Sequence, residues 1–171
     1  SSCGPSATRA SAIYTSDYYN LSGGDGYHAE IDPEDWRYVY TESQPDRQGG
    51  NVGRSNVDTR ERVSVRPNKD NIVNYAQYIT PAMEDLAEKQ NWGRQPQQMG
   101  PLRYNWSTPL LLSPNNNKTL YIGANHLLMS PDRGATWRLA SPDLTKNDPE
   151  KTLRKSGGLT PDEDPGGGAE Y

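Results

Sequence analysis

Four carboxylates stand close together in the first quarter of the chain, Asp25, Glu30, Asp32 and Glu42, and paired carboxylates are the chemistry of glycosidic bond cleavage. Such a pair must face across the bond, about 5–5.5 Å apart for retention of configuration or about 6.5–9.5 Å apart for inversion. Strand alternation puts Glu30 and Asp32 on one face, but Asp32 precedes Pro33 and reads as a turn-former. Asp25, inside Gly23-Gly24-Asp25-Gly26, and Glu42 are left as the weak catalytic candidates. Arg54, Arg60, Arg62 and Arg66 supply positive charge, yet their spacing builds no cluster that grips an acidic substrate. His28 and His126 sit in strand-like runs without a partner carboxylate at useful spacing, so they read as structural.

Metal and cofactor signals are missing. The chain has one cysteine, Cys3, and no Cys/His cluster at zinc spacing. The polar turn Asn115-Asn116-Asn117 lacks the acidic loop of a calcium site. Gly23–Gly26 lacks the Gly-Lys-Ser/Thr ending of a phosphate loop and reads as a turn whose glycines permit close strand approach. No cofactor and no metal is expected.

The eight residues Ser130-Pro131-Asp132-Arg133-Gly134-Ala135-Thr136-Trp137 carry the strongest local signal. They describe a tight corner between strands. Asp132 accepts backbone N–H groups across the turn, and Gly134 supplies a positive φ without steric cost. Thr136 and Trp137 open the outgoing strand, and the apolar run Thr119–Met129 supplies the incoming ones.

Composition bounds what these elements can build. Leu, Ile and Val number 24 of 171 residues and Phe is absent, about 14% where roughly 20% is the lower edge for an independent core. Net charge is only −4, so the chain lacks the charge of a disordered segment and predicts one that folds against further structure. No basic stripe suits nucleic acid, and no window of ~18 apolar residues suits a membrane span. Aromatic content rests on 11 Tyr and 4 Trp. These, Trp36, Trp92 and Trp106 among them, read as core residues, with stacking on a sugar or a protein partner as the alternative.

An internal repeat organises the chain. Ile31–Tyr40 lies on Leu112–Tyr121 at an offset of 81, with prolines, apolar residues and tyrosines coinciding. Each copy predicts a strand, a Pro-initiated turn and a second strand. Between the strand at Arg62–Arg66 and a strand near Trp106, the period changes. Thr80 is a helix N-cap, Pro81 its first residue, and Met83, Leu86, Ala87 and Gln90 share one face before Gly93. The boundaries that follow are a first unit at 1–67, an insertion at 68–100, a second unit at 101–145, and a polar tail or the start of another strand at 146–171.

Ser130–Trp137 fits the Asp-box pattern Ser-x-Asp-x-Gly-x-Thr-Trp at all five specified positions, through Ser130, Asp132, Gly134, Thr136 and Trp137. With Cys3–Ser6, Gly23–Tyr27, Ile31–Pro33, Tyr40–Gln44, Gly50–Arg54, Tyr104–Pro109, Leu120–Asn125 and Ser141–Thr145, the chain resembles the Asp-box, or bacterial neuraminidase repeat, proteins of the sortilin-like type. It departs at Tyr18, Tyr19, Tyr27 and Tyr104, where relatives carry Phe or Trp, and in a longer 68–100 segment. The resemblance implies an all-β fold, a β-propeller segment of about two four-stranded antiparallel blades with one short helical insertion, cut from a larger polypeptide. It also implies an exported, extracellular or periplasmic protein. The function expected is a non-catalytic interaction scaffold that binds a protein partner or the remaining blades. The alternative is part of a carbohydrate-active glycoside hydrolase, which adds carbohydrate as a ligand. In the family the box is peripheral and structural, so its presence argues for architecture rather than hydrolysis.

Overall fold

Two proline turns, 81 residues apart, start the two main sheets in the same way. The computed structural model describes residues 1–24, 26–46, 49–89, 102–104 and 107–145. Within them the protein is all-β with few helices, and its strand pairs are antiparallel. The first sheet runs in chain order through β3 (Ala29–Ile31), β4 (Tyr38–Asp46), β5 (Gly49–Asn56) and β6 (Arg62–Ser64). The second does the same through β7 (Leu110–Leu112), β8 (Leu120–Gly123), β9 (Leu127–Ser130) and β10 (Arg138–Leu139). A two-stranded ribbon, β1 (Ser2–Cys3) with β2 (Tyr19–Asn20), precedes them.

The repeat holds at the level of single hydrogen bonds. Ala29 pairs with Thr41 as Leu110 pairs with Ile122, and Ile31 with Val39 as Leu112 with Leu120. In the turns, Asp32 N donates to Tyr38 O at 3.0 Å and Ser113 N to Thr119 O at 2.8 Å. Tyr38 N reaches Asp35 O at 2.9 Å, and Thr119 N reaches Asn116 O at 2.9 Å. The first residue of each turn accepts from the backbone two residues on, Asp32 Oδ1 from Glu34 N at 3.0 Å and Ser113 Oγ from Asn115 N at 3.3 Å. Proline in the second position presets φ, and the Asx or Ser acceptor closes the loop.

Alternation then assigns faces. Leu110, Leu112, Leu120, Ile122, Leu128 and Leu139 point to one side of the second sheet and are buried with Tyr40 and Val52 of the first. Each such side chain contributes about 1.5–3 kcal/mol of burial. Val39, on the opposite face of the first sheet, packs with Leu21 and Val57 under the amino-terminal ribbon. The order of layers is therefore ribbon, first sheet, second sheet.

The insertion is stitched onto the second sheet. Trp137 N donates to Asn71 O at 2.8 Å and Val73 N to Trp137 O at 2.9 Å, a parallel bridge between Ile72 and Trp137. Asn74 continues it, accepting from Leu139 N at 2.8 Å and donating to Leu139 O at 2.9 Å. The expected helix is α2 (Pro81–Lys89), preceded by a single turn, α1 (Tyr75–Tyr78), that has no capping side chain to announce it. Thr80 Oγ1 accepts from Met83 N at 3.3 Å, as an N-cap does. Gln90 to Gly93, Trp92 and Trp106 lie outside the described residues, as does the tail 146–171. The strand expected near Trp106 begins at Leu110, because Pro109 withholds the N–H that earlier pairing would need.

Trp137 joins the layers. It is fully buried, and its indole Nε1 donates to Val65 O at 2.9 Å. Trp137→Phe keeps most of the volume but removes that donor, and a loss of about 1–3 kcal/mol is expected from the urea midpoint. Gly134→Ala is expected to cost about as much, since its Cβ would stand 2.5 Å from Val65 Cβ at a φ of 87°.

Candidate functional site

Polar groups gather at the two ends of the seam between the sheets. At one end stands the turn from β9 to β10. Ser130 Oγ donates to Asp132 Oδ1 at 2.9 Å and accepts from Gly134 N at 2.8 Å. Asp132 Oδ1 accepts from Thr136 N at 2.8 Å, and Oδ2 from Thr136 Oγ1 at 2.7 Å. Burial pushes the Asp132 carboxyl up, but the Thr136 hydroxyl and amide and the Ser130 hydroxyl outweigh it and hold it below 3.8. The side chains of Ser130, Asp132 and Thr136 are thus committed to shaping the turn.

One of the three residues the pattern leaves unspecified does the reaching. Arg133 has a φ of 61°, a left-handed conformation that is rare for a side chain of its size. Its Nη2 lies 3.2 Å from Asp32 Oδ2, and its guanidinium stands 5.8 Å from the centroid of the Tyr38 ring. Arg54 Nη1 donates to the Arg133 carbonyl at 3.5 Å. Asn117 Nδ2 donates to Asp32 Oδ1 at 3.0 Å. Asp32 is buried, which raises its carboxyl, while Asn117, the Glu34 amide and Arg133 pull it below 3.8. Asp32 is therefore a turn residue and an inter-sheet ion-pair partner at once. Of these residues, Arg133 gave no signal beyond its charge.

At the other end lies Glu42, fully buried on β4. Its Oε2 accepts from Tyr27 N at 3.3 Å and its Oε1 from Thr108 N at 3.4 Å. Burial pushes its carboxyl above 4.5, against the Tyr27, Thr108 and His28 amides. His28 Nε2 lies 3.4 Å from Ser107 Oγ, so the fold brings Glu42, His28 and Ser107 to one corner. Ser107 carried no catalytic signal in the sequence. Gly26 fits there for lack of a side chain, since a Cβ would stand 2.8 Å from Glu42 O. Asp25 lies outside the described residues.

The other expected residues are dispersed. His126 is buried with Nδ1 at 3.1 Å from Ser141 O, and its ring meets Tyr78 edge to face. Asp143 takes Arg103, Asn125 and Thr145. Trp36 is 65% exposed, not core, because it occupies the tip of the Asp32–Arg37 turn. Glu30 is half-buried on β3 and Asp32 is committed to Arg133, so the two do not form an open pair. Among the described residues no group of three or more His, Cys, Asp or Glu side chains converges on a point, and no helix is long and apolar enough to cross a membrane. No family model, no curated protein and no solved structure matches the chain.

The two ends of the seam respond oppositely to pH. Asp32 and Asp132 have lowered values when folded, so their stabilisation is full above 3.8 and lost as pH falls through the folded values. Glu42 is raised, so its contribution is full below 4.5 and lost as pH rises through its folded value. Urea midpoints measured from pH 2.5 to 8 are expected to show Asp132→Asn flattening the acid limb and Glu42→Gln flattening the other.

Proposed function

We propose that the chain is a non-catalytic interaction scaffold of β-propeller type, its two four-stranded sheets being successive blades and Ser130–Trp137 an Asp box. One observation carries the reading. In the first sheet Glu30, Tyr40, Arg54 and Val63 form a cross-strand row facing the second sheet, and Tyr40 is fully buried beneath it. The row at the equivalent register of the second sheet is Leu111, Tyr121, Met129 and Arg138. Leu111 in it is 52% exposed and Arg138 is exposed, while Tyr121 and Met129 are half-buried. Repeated sheets stack by burying the same face each time, so this row is the seat of a further sheet or of a partner shaped like one. Contact between β3 and β7, the first strands of the two sheets, fits inner strands gathered around an axis.

The resemblance to exported Asp-box proteins extends the proposal to an extracellular or periplasmic setting. The hydrolase alternative would assign Glu42 the proton-donating role, and its raised carboxyl is what favours that. Both Glu42 oxygens are occupied by backbone amides, however, which suits a joint between β4 and the segment before β7 better than an acid facing a sugar.

The test is a photo-crosslinking side chain in place of Tyr121, in the native polypeptide, paired with Leu111→Glu. Crosslinks to a β-sheet segment that disappear with Leu111→Glu support the scaffold. A Tyr121 position that crosslinks to nothing, in a protein whose sedimentation and stability are untouched by Leu111→Glu, sinks it.

A further inference from the structure

Among the described residues, two other than glycine have a positive φ, and both are arginines lying over tyrosine rings. Arg133 has its anion, Asp32. Arg60, with a φ of 64°, forms no ion pair with a described residue. It sits in the turn from β5 to β6, where Arg60 N donates to Asn56 O at 2.9 Å and Asn56 N to Glu61 O at 2.9 Å. Glycine or asparagine meets this backbone demand at less cost. Arginine is held there by its guanidinium, 3.9 Å from the centroid of the Tyr19 ring.

Arg60 and Arg62 open onto a small cleft of about 40 Å³ between the amino-terminal ribbon and the first sheet. Its remaining walls come from Asn20, Ser55, Asn56 and Tyr19, with Leu21 as an apolar floor. No carboxylate is among its described walls. Neither arginine forms an ion pair or a side-chain hydrogen bond with a described residue, although Asp58 stands in the same turn. Asn56 Oδ1 accepts from the Asp58 and Thr59 amides, at 3.0 and 3.1 Å, so its free end is the Nδ2 donor. The cleft thus has two arginines and two asparagines among its described walls and no acidic residue among them, in a chain whose net charge is −4.

We propose that this cleft binds the oxyanion group of a ligand, a carboxylate, sulfate or phosphate, with Arg60 and Arg62 as its charged donors. A planar guanidinium forks onto two oxygens of such a group. The room available takes the oxyanion itself, so the rest of the ligand lies outside along Asn20 and the ribbon. The site lies on the ribbon side of the first sheet, away from both ends of the inter-sheet seam, and does not depend on the scaffold reading.

The experiment titrates the 171-residue chain with sodium acetate, sulfate and phosphate at fixed ionic strength, against sodium chloride, following the arginine Nε–H and asparagine Nδ2–H signals by NMR. Saturable shifts at Arg60, Arg62 and Asn56 with at least one oxyanion, beyond those with chloride, are expected, and the tightest of the three identifies the group. Arg60→Gly separates binding from folding, because glycine relieves the backbone. Its Tm is expected to hold or rise while affinity falls tenfold or more. Arg62→Gln, which removes no described contact, is expected to lower affinity similarly and decides the matter should Arg60→Gly unfold. Shifts no larger than with chloride, or unchanged affinity in a folded variant, overturn the proposal.

Discussion

The two sheets depend on one charged contact, Arg133 to Asp32 at 3.2 Å, made where neither residue is well placed to be alone. Asp32 is buried and would be costly as an isolated charge. Arg133 reaches it only from a left-handed backbone, which Ser130, Asp132 and Thr136 hold in place. The corner is therefore a lever: four short polar bonds within one turn fix a long side chain that crosses to the neighbouring sheet. Asn117, from the turn between β7 and β8, completes the same carboxylate, so three turns meet at Asp32.

The opposite end of the seam is built on another principle. Glu42 is held by the amide dipoles of Tyr27 and Thr108, in surroundings that disfavour its charge. One end thus favours an ionised carboxylate and the other resists one. Where the first end locks, the second is the more readily altered by protonation, and the loop residues Tyr27 and Thr108 are the ones that feel it.

Much of the fold was legible because it is encoded locally. The offset of 81 between Ile31–Tyr40 and Leu112–Tyr121 marked both first hairpins, and proline with an Asp or Ser before it marked their turns. Thr80-Pro81 announced α2 through a cap and a preset φ. What escaped was set by distant partners. Trp137 reads as the start of an outgoing strand, yet its backbone bonds go to Asn71 and Val73, more than sixty residues earlier. Arg133 and Arg60 carry no mark of a positive φ, since the eight-residue pattern leaves position 133 open, no motif covers position 60, and the stabilising rings are far along the chain. The meeting of Glu42 with His28 and Ser107 is equally non-local, because Ser107 is 65 residues beyond Glu42.

The strand-like stretch at Asn71–Asn74 has a consequence for growth. By pairing with Trp137 and Leu139 it occupies the outer rim of the second sheet, the place where an unpaired strand would recruit another chain side by side. Lateral extension into a ribbon is closed there, while Leu111 on the broad side stays exposed. A segment that looks like ornament in the sequence thereby shields one edge of the sheet.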